Sequence, residues 1–327
     1  MSPSPSREEI HQMALRWMPS IGQASGMRIL TDTSDFFNVD YGDILLLGGT
    51  PYLIRNNAKE GRFGLDDDVK YWVKRSLDLS SGELKIIKLV YYEKFQATIG
   101  GIQFECFRSP RKEARILELV RNHPSFMQGF STSDEKGNTI RVLDYIPGKT
   151  LHDIVADIQE THETYFHGAF PGILDNFIEC TEAIRFLHEN GEKHGDIRRD
   201  HILVDRAANH YRWIDFDFNY RHRENIYGYD LFGLGNVLMY IVGKGDILLD
   251  DLKKKSPDTL TRLTEGDMNI VFHNRVANLK KIYPYVPEAL NQVLRHFSKE
   301  SSWFYEKTDQ LITDLKDARR QLTESSA

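Results

Sequence analysis

Residues 194–205 read HGDIRRDHILVD: a histidine, an aspartate two residues on, and an apolar run closed by a second acid. Such a stretch holds either a catalytic base with a metal ligand, or the remains of a site that has lost its chemistry. Working outward, AIRFLHENGEK (183–193) precedes it, and WIDFDF (213–218) and YDLFGLGNVLMYI (229–241) follow it. The whole chain has 327 residues, 40% hydrophobic and 28% charged, which is an ordinary globular composition with room for two lobes. Its formal charge of −6 lacks the basic footprint of a nucleic-acid partner, so none is expected.

No apolar run reaches the roughly 18 residues that a membrane helix needs. The start, MSPSPSREEI, has no apolar signal core, and the expectation is a cytoplasmic protein. The two cysteines, Cys106 and Cys180, are far apart and suggest neither a disulfide framework nor zinc spacing.

Strand signals dominate from Gly42 to Lys94: DILLLGG, TPYLIRN, VKYWVKRSLDL and LKIIKLVYYE. The last two are joined by SSGE, a turn with glycine where positive φ is useful. RKEARILELVRN has helical spacing and ends at HP. REEIHQMALRWM reads as a short amphipathic helix, and residues 172–190, 229–242 and 286–321 also read as helical. Strands with one helix come first and a helical half follows. The fold class expected is therefore α+β in two lobes: an extension over 1–45, a small sheet lobe over 46–145 and a mostly helical lobe over 146–327. For 1–45 the reading leaves open an extra strand pair or a docked surface extension.

Lys88 lies among Ile86, Ile87 and Leu89, and a lone lysine there needs an anionic partner, which Glu113 could supply. Each alone has a plain reading as a surface charge. In order, however, the strand with IIK, the helix with EARIL, HP, LDYIPGKTL, the 183–205 stretch, WIDFDF and the YDLFGLG helix resemble the protein kinases, over roughly residues 50–320.

That resemblance implies an antiparallel-sheet small lobe, a helical large lobe and ATP between them. It implies that Lys88 holds the α- and β-phosphates and that Glu113 fixes Lys88. It places Leu143 at the back of the adenine pocket, with the backbone of Asp144 and Ile146 on the adenine edge. Asp196 corresponds to the catalytic aspartate, and His194 to a structural residue beneath the loop. Arg198 stands where serine/threonine kinases keep a lysine on the transferring phosphate, and a guanidinium suits phosphate oxygens. Asp215 corresponds to the metal ligand, and Asp230 to the residue that holds the catalytic loop.

Four departures bear on activity. The phosphate-covering loop lacks its glycine pattern, keeping Gly61 and Gly64 beside Asp66, Asp67 and Asp68. His201 replaces the metal-binding asparagine, as in the heptose kinases of lipopolysaccharide assembly. An imidazole there points to Mn²⁺ as well as Mg²⁺. DFD stands for DFG, and Gly195 replaces the arginine that receives an activation-loop phosphate, so no phosphorylation switch is expected. Only 14 residues separate Asp215 from Asp230, with Arg221, His222 and Arg223 among them and no peptide platform. The expected function is an ATP-dependent phosphotransferase of serine/threonine kinase type. It acts on a hydroxyl acceptor, either protein or small molecule. The alternatives are a pseudokinase binding module and a kinase of a sugar or lipid-linked hydroxyl.

Overall fold

The computed structural model describes residues 5–19, 27–60, 68–99, 101–206, 210–222 and 226–324. Gly61, Gly64, Asp66, Asp67 and Arg223 lie outside them, as does the side chain of Asp68. The chain forms two compact units. One comprises Met1–Glu93, Arg108–His123 and Met127–Ile146, and the other Lys94–Phe107, Pro124–Phe126 and Pro147–Ala327.

The first unit opens with α1 (Arg7–Trp17), β1 (Ile29–Leu30), β2 (Ile44–Leu47), β3 (Thr50–Glu60), β4 (Asp68–Asp78) and β5 (Leu84–Lys88). The chain then leaves it for β6 (Lys94–Ile99) and most of β7 (Ile102–Arg108), a hairpin counted with the second unit. It returns as α2 (Pro110–Leu119), β8 (Gly129–Ser133) and β9 (Thr139–Asp144). A seven-stranded sheet runs β1-β2-β3-β4-β5-β9-β8. Its pairs are antiparallel except β1 with β2.

Helix α1 begins at a capping box, Ser6 with Glu9. It buries Ile10 and Ala14 against Ile44, Leu53, Leu77 and Leu79 of the sheet. Burying one such aliphatic side chain is worth about 2 kcal/mol. Trp17 donates its indole N–H to the Leu79 carbonyl at 3.1 Å. Its ring covers the β4–β5 turn, where Gly82 has φ +78° and an added Cβ would fall 2.2 Å from the ring. Residues 36–39 are pinned by Lys74, whose ammonium donates to the carbonyls of Phe36 and Val39 and to Asn57 at 2.5–3.1 Å. Burial pushes that ammonium down to about 8. The stretch 27–47 is thus an integral part of the sheet: β1 is added in parallel beyond β2, and Lys74 fastens the turn between them.

The second unit continues with β10 (Gly148–Thr150), α3 (Leu151–Ala156), α4 (His162–His167), α5 (Phe170–Glu189), β11 (Ile202–Asp205), β12 (His210–Trp213) and β13 (Phe218–Arg221). Then come α6 (Gly228–Gly243), α7 (Leu249–Lys255), α8 (Pro257–Leu260), α9 (Glu288–Arg295) and α10 (Thr308–Glu324). Helix α5 buries Phe177, Ile184 and Leu187, and Trp213 donates its indole N–H to the Cys180 carbonyl at 2.9 Å. The stretch expected to be helical over 286–321 is two helices, α9 and α10, separated by a bend. At that bend Tyr305 is 2% exposed and donates to Asp314 at 2.7 Å. Two small sheets, β10-β11-β12 and β13-β7-β6, complete the unit. The architecture is α+β, a sheet-dominated unit and a mainly helical one, as in the protein-kinase fold. No helix among the described residues is long and apolar enough to cross a membrane.

Candidate active site

In the first unit, β5 ends at Lys88 and α2 carries Glu113. Ser109 caps α2 and Pro110 opens it, so Glu113 falls in the first turn with Ile116 and Leu117 on the buried side. Lys88 Nζ donates to Glu113 Oε1 at 2.8 Å, with the lysine 4% and the glutamate 0% exposed. A third group completes the site. Arg141, directly across from Lys88 on β9, donates Nε to Glu113 Oε2 at 2.9 Å and is itself 0% exposed. Arg141 thus brings a second buried cation to the carboxylate that holds Lys88. The sequence reading missed Arg141. Its signal was the same as for Lys88: a charge flanked by Ile140, Val142 and Leu143 in a strand.

Leu143 is buried on β9 opposite Ile86. Asp144 closes that strand, its carboxylate accepting from Lys85 at 2.8 Å, and Ile146 ends the unit.

In the second unit, Asp230 in the first turn of α6 organises the 194–201 loop. Its two oxygens accept the backbone N–H groups of His194 and Gly195, each at 2.8 Å, and His188 Nε2 lies 3.0 Å away. These partners help satisfy a fully buried carboxylate. Gly195 has φ +90°, and a Cβ there would stand 1.9 Å from the Phe218 carbonyl oxygen. An arginine cannot replace it without moving β13.

Asp196 projects from this loop with its side chain 20% exposed. Burial pushes its carboxyl up from the usual range. His201 and Arg198 oppose that push, while Asp215 and Asp200 add to it. His201 is 3% exposed and donates Nδ1–H to the Asp196 carbonyl at 2.8 Å. Its other nitrogen, Nε2, lies 3.5 Å from Asp215 Oδ2. Asp215 adopts φ +61°, in the left-handed region that aspartate enters more readily than most non-glycine residues. Asp217, where the kinases keep glycine, is fully buried.

An imidazole nitrogen and a carboxylate oxygen at this separation can share one divalent cation, and the mixed donor set suits Mn²⁺ better than Mg²⁺. Arg198 forms an ion pair with Asp200. Burial raises the Asp200 carboxyl, but His201 and Arg198 together hold it below its ordinary value. Arg221 and His222 pack on the hairpin, over Phe107 at 4.9 Å and beside Phe104 at 5.2 Å. The hairpin itself was not anticipated. The alternation in KFQATI and IQFECFR around Gly100–Gly101 could have revealed it.

The relatives of this chain are protein kinases. Mouse protein kinase C eta type is 26% identical over 218 residues, 65% of this chain and 27% of that protein. Rice CBL-interacting protein kinase 1 is 27% identical over 158 residues, 48% of this chain and 30% of that protein. Mouse NUAK family SNF1-like kinase 1 is 23% identical over 140 residues, 42% of this chain and 19% of that protein. The chain thus spans less than a third of the length of these relatives. No family model matches. The likeness to the protein kinase-like superfamily rests on these relatives, in agreement with the order of motifs in the sequence.

Proposed function

We propose that the chain is an ATP-dependent phosphotransferase that moves the γ-phosphate to an alcohol-type hydroxyl. The observation that carries this reading is the buried Lys88–Glu113 pair at 2.8 Å. A lysine kept this dry beside a buried carboxylate is a costly arrangement, and an oligophosphate would put its charge to use. In this reading Lys88 takes the α- and β-phosphates, and Glu113 with Arg141 keeps the ammonium in place. The adenine edge meets the backbone of Asp144 and Ile146, with Leu143 behind it.

Asp196 orients the acceptor hydroxyl and takes its proton, and its raised affinity for a proton suits that role. Asp215 and His201 are the metal-holding residues, and a divalent cation there would neutralise charge on the phosphates. Arg198 exchanges Asp200 for the transferring phosphate. Catalysis is then mostly placement and charge neutralisation.

The test supplies γ-labelled ATP with Mg²⁺ or Mn²⁺, alongside casein-type peptides and a panel of sugars. Transfer of label to either acceptor class supports the proposal and identifies the acceptor. A thermal shift with ATP but no transfer to any acceptor or to water, in either metal, would instead make the chain a binding module.

A further inference from the structure

We infer that the β6–β7 hairpin is a built-in strut that holds the segment after Asp215 in its working position without phosphorylation, with Phe104 as its positioning residue. The working position is that of the proposed phosphotransfer site, so the inference rests on that reading.

Strand β13 starts only three residues after Asp215 and is held from two directions. On one, Gly195 of the loop bearing Asp196 lets the Phe218 carbonyl approach so closely that no side chain fits between them. On the other, β13 is hydrogen-bonded to β7, and β7 to β6. The contact is also made by side chains. Phe104 is 0% exposed, with its ring centroid 5.8 Å from Tyr220 of β13 and 5.5 Å from Tyr229 of α6. Phe95 meets Phe218 edge-on at 5.7 Å. Arg221 lies over Phe107 at 4.9 Å.

The hairpin also reaches the catalytic loop's surroundings. Cys106, 2% exposed, bonds to the Tyr229 hydroxyl and feels the charge of Asp196. A phosphorylated segment is ordered by an arginine that pairs with the added phosphate. Here glycine occupies residue 195, and strand pairing with aromatic packing does the ordering instead.

The experiment follows amide hydrogen exchange in the full chain, wild type against Phe104→Ala, Phe104→Leu and Phe95→Ala. It also measures steady-state transfer before and after phosphatase treatment. The strut predicts that Phe104→Ala loses protection over residues 218–222 while α5 and α6 keep theirs. It predicts that kcat falls at least tenfold with KM for ATP unchanged, that Phe104→Leu restores most of both, and that phosphatase changes nothing in the wild type. If Phe104→Ala does not fold, Phe95→Ala, with a ring 42% exposed, must show the same local loss in smaller degree. Protection at 218–222 that survives when 94–107 exchange freely would overturn the inference, as would wild-type activity that phosphatase abolishes. A wild type that transfers no phosphate to any acceptor would overturn the functional reading instead, and the exchange data would still decide whether the hairpin holds the strand.

Discussion

Arg141 and Lys88 share one carboxylate: Glu113 takes the guanidinium on Oε2 at 2.9 Å and the ammonium on Oε1 at 2.8 Å. Removing the acid takes a shared carboxylate from two buried cations, whereas removing the arginine leaves the Lys88–Glu113 pair in place. Glu113→Gln should therefore cost about 3–5 kcal/mol in urea unfolding, and Arg141→Met clearly less. Under the proposed function, Arg141→Met should also weaken ATP binding, because a buried cation beside Lys88 is gone. Equal losses for the two variants, or a larger one for Arg141→Met, would contradict the shared-carboxylate account.

Asp196 is held in a place that penalises its ionised form, and burial is the largest cause. The folded chain binds this proton more tightly than the unfolded chain. Its stabilising share is therefore fully present below the ordinary carboxylate value and lost as pH rises through the raised one. At neutral pH the ionised group is destabilising. Asp196→Asn should thus raise the melting temperature near pH 7, with the gain shrinking in acid, while abolishing transfer. A variant less stable than wild type at neutral pH would argue against the burial account.

Under the proposed function, an imidazole at residue 201 would set a metal preference. Wild-type turnover should be faster in Mn²⁺ than in Mg²⁺, and His201→Asn should shift the ratio of the two rates toward Mg²⁺ by about tenfold. Rates measured across both metals at saturating ATP check this. An unchanged ratio would mean that His201 fills space without binding metal.

His162 links α4 to residues 242 and 283–285. Its Nε2–H donates to the Val242 carbonyl at 2.8 Å, Nδ1 accepts from the Tyr285 hydroxyl at 2.7 Å, and the ring stacks on Tyr283. Burial lowers its proton affinity. The neutral ring's contribution is full above the ordinary histidine value and is lost as pH falls through the lowered folded value. The stability gap between wild type and His162→Gln should therefore narrow from about pH 7.5 to about pH 5.5. Urea unfolding at the two conditions measures it, and a gap that widens in acid would refute the neutral assignment.

Much of the fold was legible because local pattern and tertiary role agree. The IIK strand, the glycine turn before it and the capped helix with Glu113 each carry their structure in a few adjacent residues. What escaped the sequence were long-range pairings. Arg141 is just another charge until β9 is set beside β5, 53 positions earlier in the chain at Lys88. The hairpin's alternation is visible, but its partner β13 lies more than a hundred residues further on. The break between α9 and α10 was hidden because both flanks have helical spacing and the interruption is aromatic rather than glycine or proline. At the site, residue types suggested roles, but the proton on His201 Nδ1 became apparent only from the carbonyl it meets.

Phosphate transfer through Asp196 is the claim on which the rest depends. The most direct measurement compares ATP turnover by wild type and Asp196→Asn in Mn²⁺, with nucleotide binding by both followed as a thermal shift. The account predicts steady turnover in the wild type, a loss of at least about a hundredfold in the variant, and binding in both. Equal turnover in the two proteins, or none in either despite binding, would contradict it.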